Sequence, residues 1–390
     1  MRICVLKESL TLGGTERSAA NISKALSKDD EVFTVLYDGR NPQYIYGGKL
    51  IDLELPAKDG VAAKIINNIK RARRYNKFIK NNNIELLFEF LSIGNPLCSL
   101  RHKRQIRLIS LRDFGVLQRR AKRFHKCLSK ADAMVCNSEY LRTYYTERYP
   151  AQKDRVFTVY NIINNEDICK QGAEPTEKEF NEFCSLHPKT VAAVGRFCKE
   201  KGFEYLIRSI SIARAKDPEI GLVLVGGGDY CDGYHKLAAD TGLTDHIFFS
   251  GYQSNPYKYM AKCSCFVLSS VSEGFPNVLA EAMALKLPVV ATNCFSGPAE
   301  ILRNDADYSA VTDRYELCDY GILTPRFAVG AENNAEVIEL SNAISTLLAS
   351  SELMSKYSEL SGQRVLLYSE DEANKKLHEI FCILEARREV

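Results

Sequence analysis

Short apolar segments alternate with amphipathic ones along the first half of the chain. The segment RICVLK at 2–7 is typical of a buried strand, and a glycine turn with a segment of helical spacing follows it. Four further apolar segments predict strands: EVFTVLY, IELLFEFLSI, IRLISLR and AMVCNS. Strands that alternate with helices predict an α/β domain with a parallel sheet and helices on both faces.

The same alternation begins again after a polar, acidic segment, KQGAEPTEKEFNEF. The strands predicted there are TVAAVGRF, GLVLVGGG, HIFFSGY, SCFVLSS and PVVATN, with helical segments between them. The simplest architecture is therefore two doubly wound α/β sheets in series. We place the first domain at 1–163 and the second at 164–370. The remaining segment, 371–390, is an amphipathic helix that we expect to pack back on the first domain.

Length and composition agree with two domains. A chain of 390 residues with 45% hydrophobic content is too long for one ordinary core and apolar enough to fold. It contains no apolar segment long enough to span a bilayer, and its start resembles a strand and turn more than a signal peptide. We therefore expect a cytoplasmic protein that can associate peripherally with the inner face of the membrane.

Thirteen cysteines are scattered through the chain, mostly beside apolar residues. This distribution favours buried free thiols over a disulfide framework. Cys263 and Cys265 are the only close pair. Their spacing predicts that both lie on one face of a strand, and no second pair is near enough in sequence to complete a zinc site.

Charge is distributed unevenly. Residues 1–155 hold 30 Lys and Arg against 16 Asp and Glu, a net charge of +14, whereas the remainder has a net charge of −11. The segment 61–80 predicts a helix with an apolar stripe and a basic side. The stripe consists of Ala62, Ile65, Ile66, Ile69 and Ala72. The basic side consists of Lys70, Arg71, Arg74 and Lys77.

Three interpretations of this basic half are open. It can face an anionic bilayer or a lipid-diphosphate-linked acceptor, it can bind nucleic acid, or it can be a solvated helix face. Nucleic acid is disfavoured because the basic segments carry no recognisable nucleic-acid-binding signature and few aromatic residues.

Two cations follow the first predicted strand of the second half. In AVGRFCKEKGFEYLIRSI the strand ends at Val194, and Gly195 permits a tight exit. Arg196 and Lys201 lie at the two ends of the loop that leads to the next helix. Ligands of open parallel sheets bind beyond the carboxyl ends of strands, so this pair is a candidate clamp for a diphosphate. The alternative is a solvated Arg and Lys at the start of a helix.

Three glycines, at 226–228, follow the strand GLVLV. They permit either a close backbone approach to a ligand or an ordinary turn from strand to helix. The full GxGxxG spacing of a dinucleotide site is absent from this segment.

The segment SEGFPNVLAEAMA carries the most informative pattern. Seven residues separate Glu273, in a loop at the sheet edge, from Glu281, one to two turns into a helix. The two carboxylates can bind hydroxyl groups at opposite ends of an extended ligand. The helix N-terminus at Asn277 and Val278 offers N–H groups and a positive dipole to phosphates between them. An exposed helix glutamate is the alternative, which the apolar neighbours of Glu281 disfavour.

Taken together, these segments resemble family 4 (GT4) of the retaining glycosyltransferases with the GT-B fold, whose signature is E-x7-E. GRFCKEKGFEYLIRSI resembles the GR-x4-KG segment of the family, and HIFFSGYQSNPYKYM resembles its F-x-G loop on the uridine side. GPAEIL resembles the turn that follows the last sheet strand of the family, and YGILTP resembles the strand after that turn. At the N-terminus, LTLGGTERSAANISKAL resembles the GG loop of the family. The resemblance covers nearly the whole chain. It implies two Rossmann-like doubly wound domains that face each other across a cleft.

The resemblance also implies roles for individual residues. Arg196 and Lys201 bind the donor diphosphate and stabilise the leaving nucleoside diphosphate, while Glu281 holds the ribose hydroxyls and Glu273 contacts the transferred sugar. The remaining donor-binding positions are Gly13, Gly14, Gly195, Gly251, Tyr252, Phe275, Asn277 and Val278. The donor is a nucleotide sugar, expected to be UDP-linked, and the acceptor is a glycan or a lipid-diphosphate-linked glycan.

One position departs from the family pattern. Many relatives carry a histidine after the strand equivalent to IRLISLR, in a motif S-x-H, whereas this chain has Ser110, Leu111 and Arg112. An arginine cannot serve as a titrating base because its pKa lies above about 12. Either Arg112 orients the donor sugar or the acceptor, or activity is impaired. The first interpretation is favoured because Arg196 and Lys201, which are assigned to the phosphates, match the family pattern.

No metal is expected, since Arg196 and Lys201 supply positive charge. Asp305 and Asp307 form a DxD sequence, which we interpret as a surface loop because it lies well past the donor loops. Two alternatives to a glycosyltransferase remain: a UDP-sugar epimerase with the same fold, and a degenerate nucleotide-sugar-binding partner protein.

Overall fold

The computed structural model describes residues 1–11, 13–90, 104–294, 297–304, 313–328 and 332–389. The chain forms two compact units, Met1–Ile162 with Glu370–Val390 and Ile163–Ser369. The predicted boundaries, after 163 and after 370, each differ from these by one residue. No helix in the described part of the chain is long and apolar enough to cross a membrane.

Each unit is built on a sheet of mostly parallel strands. The strands, in chain order, are β1 (Arg2–Lys7), β2 (Glu31–Leu36), β3 (Lys49–Asp52), β4 (Leu86–Glu89), β5 (Ile106–Leu111), β6 (Ala133–Cys136), β7 (Val156–Thr158), β8 (Lys189–Val194), β9 (Ile220–Val225), β10 (Ile247–Gly251), β11 (Cys265–Leu268), β12 (Val289–Thr292), β13 (Glu316–Leu317) and β14 (Ile322–Thr324).

Helices connect these strands. They are α1 (Gly14–Leu26), α2 (Val61–Asn81), α3 (Phe114–Leu128), α4 (Glu139–Arg148), α5 (Asn165–Gly172), α6 (Lys178–Leu186), α7 (Phe203–Arg214), α8 (Cys231–Asp240), α9 (Tyr257–Met260), α10 (Asn277–Ala284), α11 (Pro298–Leu302), α12 (Asn334–Ala349), α13 (Ser351–Arg364) and α14 (Glu370–Glu389).

The first sheet has the order β3-β2-β1-β4-β5-β6-β7, and the second has the order β10-β9-β8-β11-β12-β14-β13. All described pairings are parallel except that of β13 with β14. In both sheets the chain starts near the centre, runs to one edge and then returns to build the other. This is the doubly wound order, so the predicted fold class is confirmed.

The C-terminal helix α14 packs in the first unit. Its Leu377, Phe381 and Leu384 are buried in one hydrophobic cluster with Ala19 and Ile22 of α1. Polar contacts surround this cluster, including those of Asn374 with Asp29 and of His378 with Asp30. The last twenty residues therefore complete the core of the first unit.

Helix α2 does not turn its apolar stripe inward, and Arg71, which the sequence placed on the basic side, is buried instead. The side chains that face inward are Asn67, Arg71, Tyr75 and Ile79, whereas Ile65 and Ile66 are 56% and 55% exposed. The physical reason is a set of backbone acceptors after β3. Arg71 donates from Nε and Nη2 to the Leu55 carbonyl oxygen at 2.9 and 2.7 Å, and Asn67 donates to that of Pro56 at 2.8 Å.

The twelve cysteines within the described residues all carry free thiols, and seven of them are buried. Cys265 opens β11, and burial raises the pKa of its thiol to about 12. Cys263 lies in the turn before that strand, so the prediction that both share a strand face is wrong. In the described ranges no three His, Cys, Asp or Glu side chains are grouped to hold a metal. Asp305 and Asp307 lie outside those ranges.

Candidate active site

The loop after β8 holds the two predicted diphosphate ligands. β8 ends at Val194, as predicted, and α7 begins at Phe203. Arg196 is exposed at the start of the loop. Lys201 lies at its end, with its side chain 25% exposed. The loop therefore presents one cation to solvent and holds a second against the protein.

Lys201 forms an ion pair with Glu273. Its Nζ donates to Glu273 Oε1 at 2.7 Å, and Ser270 Oγ donates to the same oxygen at 2.7 Å. Burial alone would lower the pKa of Lys201, but the Glu273 carboxylate more than offsets this and raises it above its ordinary value. Lys201 is consequently charged at neutral pH. Two motifs that are 72 residues apart in sequence meet at this pair.

The backbone fixes the position of Lys201. Ser269 Oγ donates to the Lys201 carbonyl oxygen at 2.9 Å, and the Val271 N–H donates to that of Glu200 at 2.8 Å. Gly202 has φ +62°, and a Cβ atom there would overlap the carbonyl oxygen of Ser269. This close approach of the two backbones explains why glycine follows the lysine.

Gly202→Ala is expected to lower the free energy of unfolding by about 3 kcal/mol, because it combines a left-handed backbone with a steric overlap. Gly242→Ala is the matched control, since Gly242 also has a positive φ, +71°, but its added Cβ would lie in open space. The control should lose only about 1 kcal/mol. Urea unfolding of both variants measures the difference. Equal losses would contradict the close approach at Ser269.

The glycines at 226–228 pack against the same loop. A Cβ atom at Gly226 would overlap the Gly195 carbonyl oxygen, and the Phe197 N–H donates to the Gly227 carbonyl at 2.8 Å. The structure thus gives these glycines a packing role, because they let the turn after β9 lie against the loop that carries Arg196. The Gly226 N–H also donates to the Gly251 carbonyl oxygen at 3.0 Å.

Glu281 is the fifth residue of α10 and is only 5% exposed. Pro276 precedes the helix and supplies no side-chain cap. Asn277 and Val278, in the first turn, are partly accessible, and the Phe275 ring packs on Tyr368 with centroids 5.2 Å apart. Glu281 is the only charged residue among the buried positions of α10, which are otherwise Leu279, Ala280, Ala282, Met283 and Ala284.

Tyr252 directly follows β10 and is 72% exposed. It comes after Gly251, the last residue of the strand. An exposed aromatic ring at the carboxyl end of a strand offers a flat surface to a ligand ring. Both residues belong to the same unit as Glu281 and Lys201.

Arg112 lies in the other unit, at the carboxyl end of β5. Its Nε donates to Ser110 Oγ at 2.6 Å, its Nη1 donates to Asn161 Oδ1 at 3.1 Å, and its guanidinium lies 5.2 Å from the centre of the Phe90 ring. All these partners are neutral, and its buried Nη2 has no hydrogen-bond partner within the described part of the chain. Burial lowers the pKa of Arg112 to about 10, which leaves it charged at neutral pH.

Gly13 and Gly14 also belong to this first unit. Helix α1 begins at Gly14, and the Gly13 N–H donates to the Tyr44 hydroxyl at 3.1 Å. A Cβ atom at Gly13 would overlap the carboxylate of Glu16. Gly13 and Gly14 thus lie between β1 and α1, at the start of the helix, as predicted.

The structure therefore brings Lys201 and Glu273 into direct contact and holds the glycines at 226–228 against the loop that carries Lys201. Sequence reasoning missed Ser270, which orients the Glu273 carboxylate, and Cys294, whose pKa is raised by burial and by the charge of Glu273. Ser270 could have been found, since it lies two residues after the end of β11 and three residues before Glu273. Cys294 follows β12 and carries no comparable signal.

Comparison with known protein families gives two matches. The model described as "Glycosyltransferase Family 4" matches residues 12–167, and the model described as "Glycosyl transferases group 1" matches residues 176–315. Each match falls within one of the two α/β halves of the chain, apart from a few residues at the junction.

Similar proteins were found in several organisms. The N-acetylgalactosamine-N,N'-diacetylbacillosaminyl-diphospho-undecaprenol 4-alpha-N-acetylgalactosaminyltransferase of Campylobacter jejuni is 28% identical over 312 residues, which cover 76% of this chain and 82% of that enzyme. An uncharacterized glycosyltransferase of Methanocaldococcus jannaschii, MJ1059, is 30% identical over 198 residues. That match spans about half of each protein, 51% of this chain and 48% of the relative.

Among solved structures, Anabaena HepE in complex with UDP and glucose superposes with a TM-score of 0.69. It is 17% identical in sequence, and the alignment covers 98% of this chain and 99% of HepE. At this identity the likeness establishes a shared fold.

Proposed function

Because the chain belongs to the GT4-type glycosyltransferases with the GT-B fold, we propose that it uses a UDP-sugar as donor and retains the anomeric configuration. The transferred group is a hexose or an N-acetylhexosamine. The acceptor is a glycan or a lipid-diphosphate-linked glycan, and the reaction takes place on the cytoplasmic side of the membrane. Glycosyl transfer in polysaccharide or glycolipid synthesis is the function that the relatives support.

The observation that carries the proposal is the Lys201–Glu273 ion pair between the two donor motifs. An ammonium group can donate three hydrogen bonds, and one of them is used by Glu273. The others are available to phosphate oxygens. Arg196, exposed in the same loop, supplies a second cation for the diphosphate. These charges neutralise the leaving group without a divalent cation.

The proposed reaction breaks the bond between the anomeric carbon and the diphosphate oxygen, and UDP departs with the bonding electrons. The acceptor hydroxyl attacks the oxocarbenium-like carbon from the same face, and the leaving phosphate takes its proton. No nucleophile from the protein is required. Fixed positive charge at the departing phosphate is then the main catalytic contribution, because it is already in place when negative charge develops.

Two similar proteins favour this donor and this acceptor. The Campylobacter jejuni relative transfers N-acetylgalactosamine to a diphospho-undecaprenol-linked acceptor, and the Anabaena structure contains UDP and glucose. We extend both features to this chain as part of the proposal.

Arg112 is proposed to orient the acceptor or the transferred sugar, since its guanidinium has only neutral partners among the described residues and can pair with an anion or a hydroxyl group. Arg112→Ala is expected to lower kcat about 100-fold and to leave the Kd for UDP within about twofold, because the residue is assigned no contact with UDP. Steady-state kinetics and calorimetry measure the two effects. Arg119→Ala, at an exposed arginine of α3, is the control. An equal loss of UDP affinity would refute this placement.

The direct test is a panel of UDP-, GDP- and TDP-sugars incubated with the purified protein. We expect slow hydrolysis of a UDP-sugar that persists in excess EDTA. Transfer to an acceptor should then give a product whose anomeric configuration, read by NMR, matches that of the donor. Hydrolysis of a GDP- or TDP-sugar alone would reject the UDP assignment. An epimerised free nucleotide sugar, formed without acceptor, would reject glycosyl transfer.

A further inference from the structure

Arg112 carries a positive charge whose described contacts are all neutral. Its guanidinium donates to Ser110 Oγ, to Asn161 Oδ1 and, at 3.4 Å, to the Val159 carbonyl oxygen, and it lies over the Phe90 ring. Burial lowers the pKa of Arg112 to about 10, so the group stays charged at neutral pH. A charge removed from water is costly unless an ion of opposite sign pairs with it. None of these contacts supplies that ion.

The acidic residue next to Arg112 in sequence does not neutralise it. Asp113 is exposed, and its Oδ1 accepts from the Val116 N–H at 2.7 Å as the N-cap of α3. Within the described ranges no carboxylate forms an ion pair with Arg112. Residues 114–131, which include α3, contain six Lys and Arg and no Asp or Glu. The positive potential of such a region attracts anionic ligands.

Asn137 lies beside Arg112 at the same edge of the sheet. β5 and β6 pair in parallel with Leu111 opposite Cys136, and Asn137 Nδ2 donates to the Arg112 carbonyl oxygen at 3.4 Å. Asn137 Oδ1 is buried and has no hydrogen-bond partner in the described part of the chain, as is also true of Arg112 Nη2. A donor and an acceptor without partners therefore lie at adjacent strand ends, where ligands of parallel sheets bind.

We propose that Arg112 and Asn137 bind a carboxylate-bearing sugar of the acceptor, so that the acceptor glycan contains a hexuronic acid. Arg112 Nη2 donates to the carboxylate, and Asn137 Oδ1 accepts from a hydroxyl group of the same sugar. A neutral sugar leaves the charge of Arg112 unpaired, whereas a carboxylate pairs with it. The inference rests on the proposed function and adds the chemical class of the acceptor. A carboxylate on the transferred sugar has the same chemistry, and the experiments separate the two sources.

The first experiment compares matched acids and esters. The methyl glycosides of glucuronate, galacturonate and mannuronate, and the methyl ester of each, are titrated by NMR into the full chain saturated with UDP. Each ester keeps the ring and the hydroxyl groups of its acid and lacks the charge. At least one acid should bind the wild type about tenfold more tightly than its ester. Added salt should reduce this preference, because it screens the charge of Arg112.

Variants of Arg112 test whether the preference for the acid belongs to this residue. Arg112→Gln should bring the ratio of the two affinities close to one, whereas Arg112→Lys keeps the charge and should retain part of the preference. Arg119→Gln, at an exposed arginine of α3, should retain all of it. A residue that only supports the fold would weaken the acid and the ester alike and leave the ratio unchanged.

Asn137→Asp tests the same pairing from the other side. It places a carboxylate beside Arg112 with little change in volume, and this internal partner should remove the preference for the acid. Asn76→Asp, at an exposed position of α2 in the same unit, adds the same charge and should leave the preference unchanged. Asn137→Asp decides the test if Arg112→Gln does not fold.

Hydrolysis of nucleotide sugars separates the acceptor from the donor. UDP-glucuronate and UDP-galacturonate are compared with UDP-glucose and UDP-galactose. We expect no preference for the UDP-uronates, because the carboxylate is assigned to the acceptor. A preference that Arg112→Gln removes would place the carboxylate on the transferred sugar and overturn the proposal.

Two further results would overturn the proposal. Every acid could bind the wild type no better than its ester, or Arg112→Gln could keep the full preference for the acid. Binding of UDP to the wild type is a separate measurement. If UDP binds and the acids show no advantage, the acidic acceptor alone is rejected. If UDP does not bind, the proposed function itself is rejected.

Discussion

Replacing Lys201 with methionine is expected to lower kcat by roughly 10²–10³-fold, a loss at least as large as that expected for Arg112→Ala. Lys201 is held by Glu273, by the hydrogen bond of Ser269 to its carbonyl oxygen and by the close approach at Gly202. A cation fixed in this way need not reorganise when the leaving diphosphate becomes more negative. Methionine keeps the length of the side chain and removes the charge. Single-turnover kinetics with saturating donor measure the effect on the chemical step.

Lys199→Met is the control for Lys201→Met, because Lys199 is exposed in the same loop and forms no described ion pair. It should keep kcat within about twofold. Loss of Lys201 also leaves the Glu273 carboxylate without its cation. Glu273→Gln should therefore be combined with Lys201→Met in a double-mutant cycle, in which the losses are expected to be less than additive. A Lys201→Met variant with normal kcat would remove the lysine from the mechanism.

Replacing Glu281 with alanine is expected to weaken UDP binding about 100-fold. The proposal gives its carboxylate two hydrogen bonds from the ribose hydroxyls, and hydrogen bonds to charged groups are worth about 1.5–3 kcal/mol each. Its burial, with 5% of the residue exposed, keeps water from replacing those bonds. Calorimetric titration of UDP measures the loss directly.

Two further variants separate binding from stability in this experiment. Glu281→Gln retains the volume and one acceptor oxygen, so its affinity should fall between those of wild type and Glu281→Ala. Glu352→Ala, at an exposed glutamate of α13 in the same unit, should bind UDP normally. If Glu281→Ala binds UDP as tightly as wild type while remaining folded, the assignment to the ribose is wrong.

The central strands of both sheets and the edge strand β10 could be predicted from the sequence, whereas the other three edge strands could not. β1, β4, β5 and β9 are buried on both faces, so their sequences are mostly apolar. β3 and β13 lie at sheet edges and are mostly exposed, which removes that signal. β7, the other missed edge strand, has only three residues. A short or solvated strand is specified by its neighbour more than by its own composition.

Helix α2 shows a different limit. Its existence and bounds were clear from the sequence, but its orientation was not, because the usual rule assigns apolar residues to the core. The carbonyl groups of Leu55 and Pro56, which Arg71 and Asn67 satisfy, decide the orientation. Those acceptors lie in a loop whose path the sequence does not indicate.

At the candidate site, the sequence located the motifs and the structure supplied their contacts. β8 and β11 pair directly as parallel strands, so the loops that follow them are neighbours. The ion pair itself, and the role of Ser270 in it, depend on side-chain positions that a motif does not specify. The glycines at 226–228 were explained equally well by a ligand or by a turn, and only the contact with Gly195 identifies a packing role.

The central claim is that the second unit binds the UDP moiety of a nucleotide sugar through Lys201 and Glu281. Calorimetric titration of the wild-type protein with UDP tests it most directly. The account predicts saturable binding of one UDP per chain that is weakened in Glu281→Ala and unchanged in Arg112→Ala. The absence of any UDP binding by the folded protein would contradict the account.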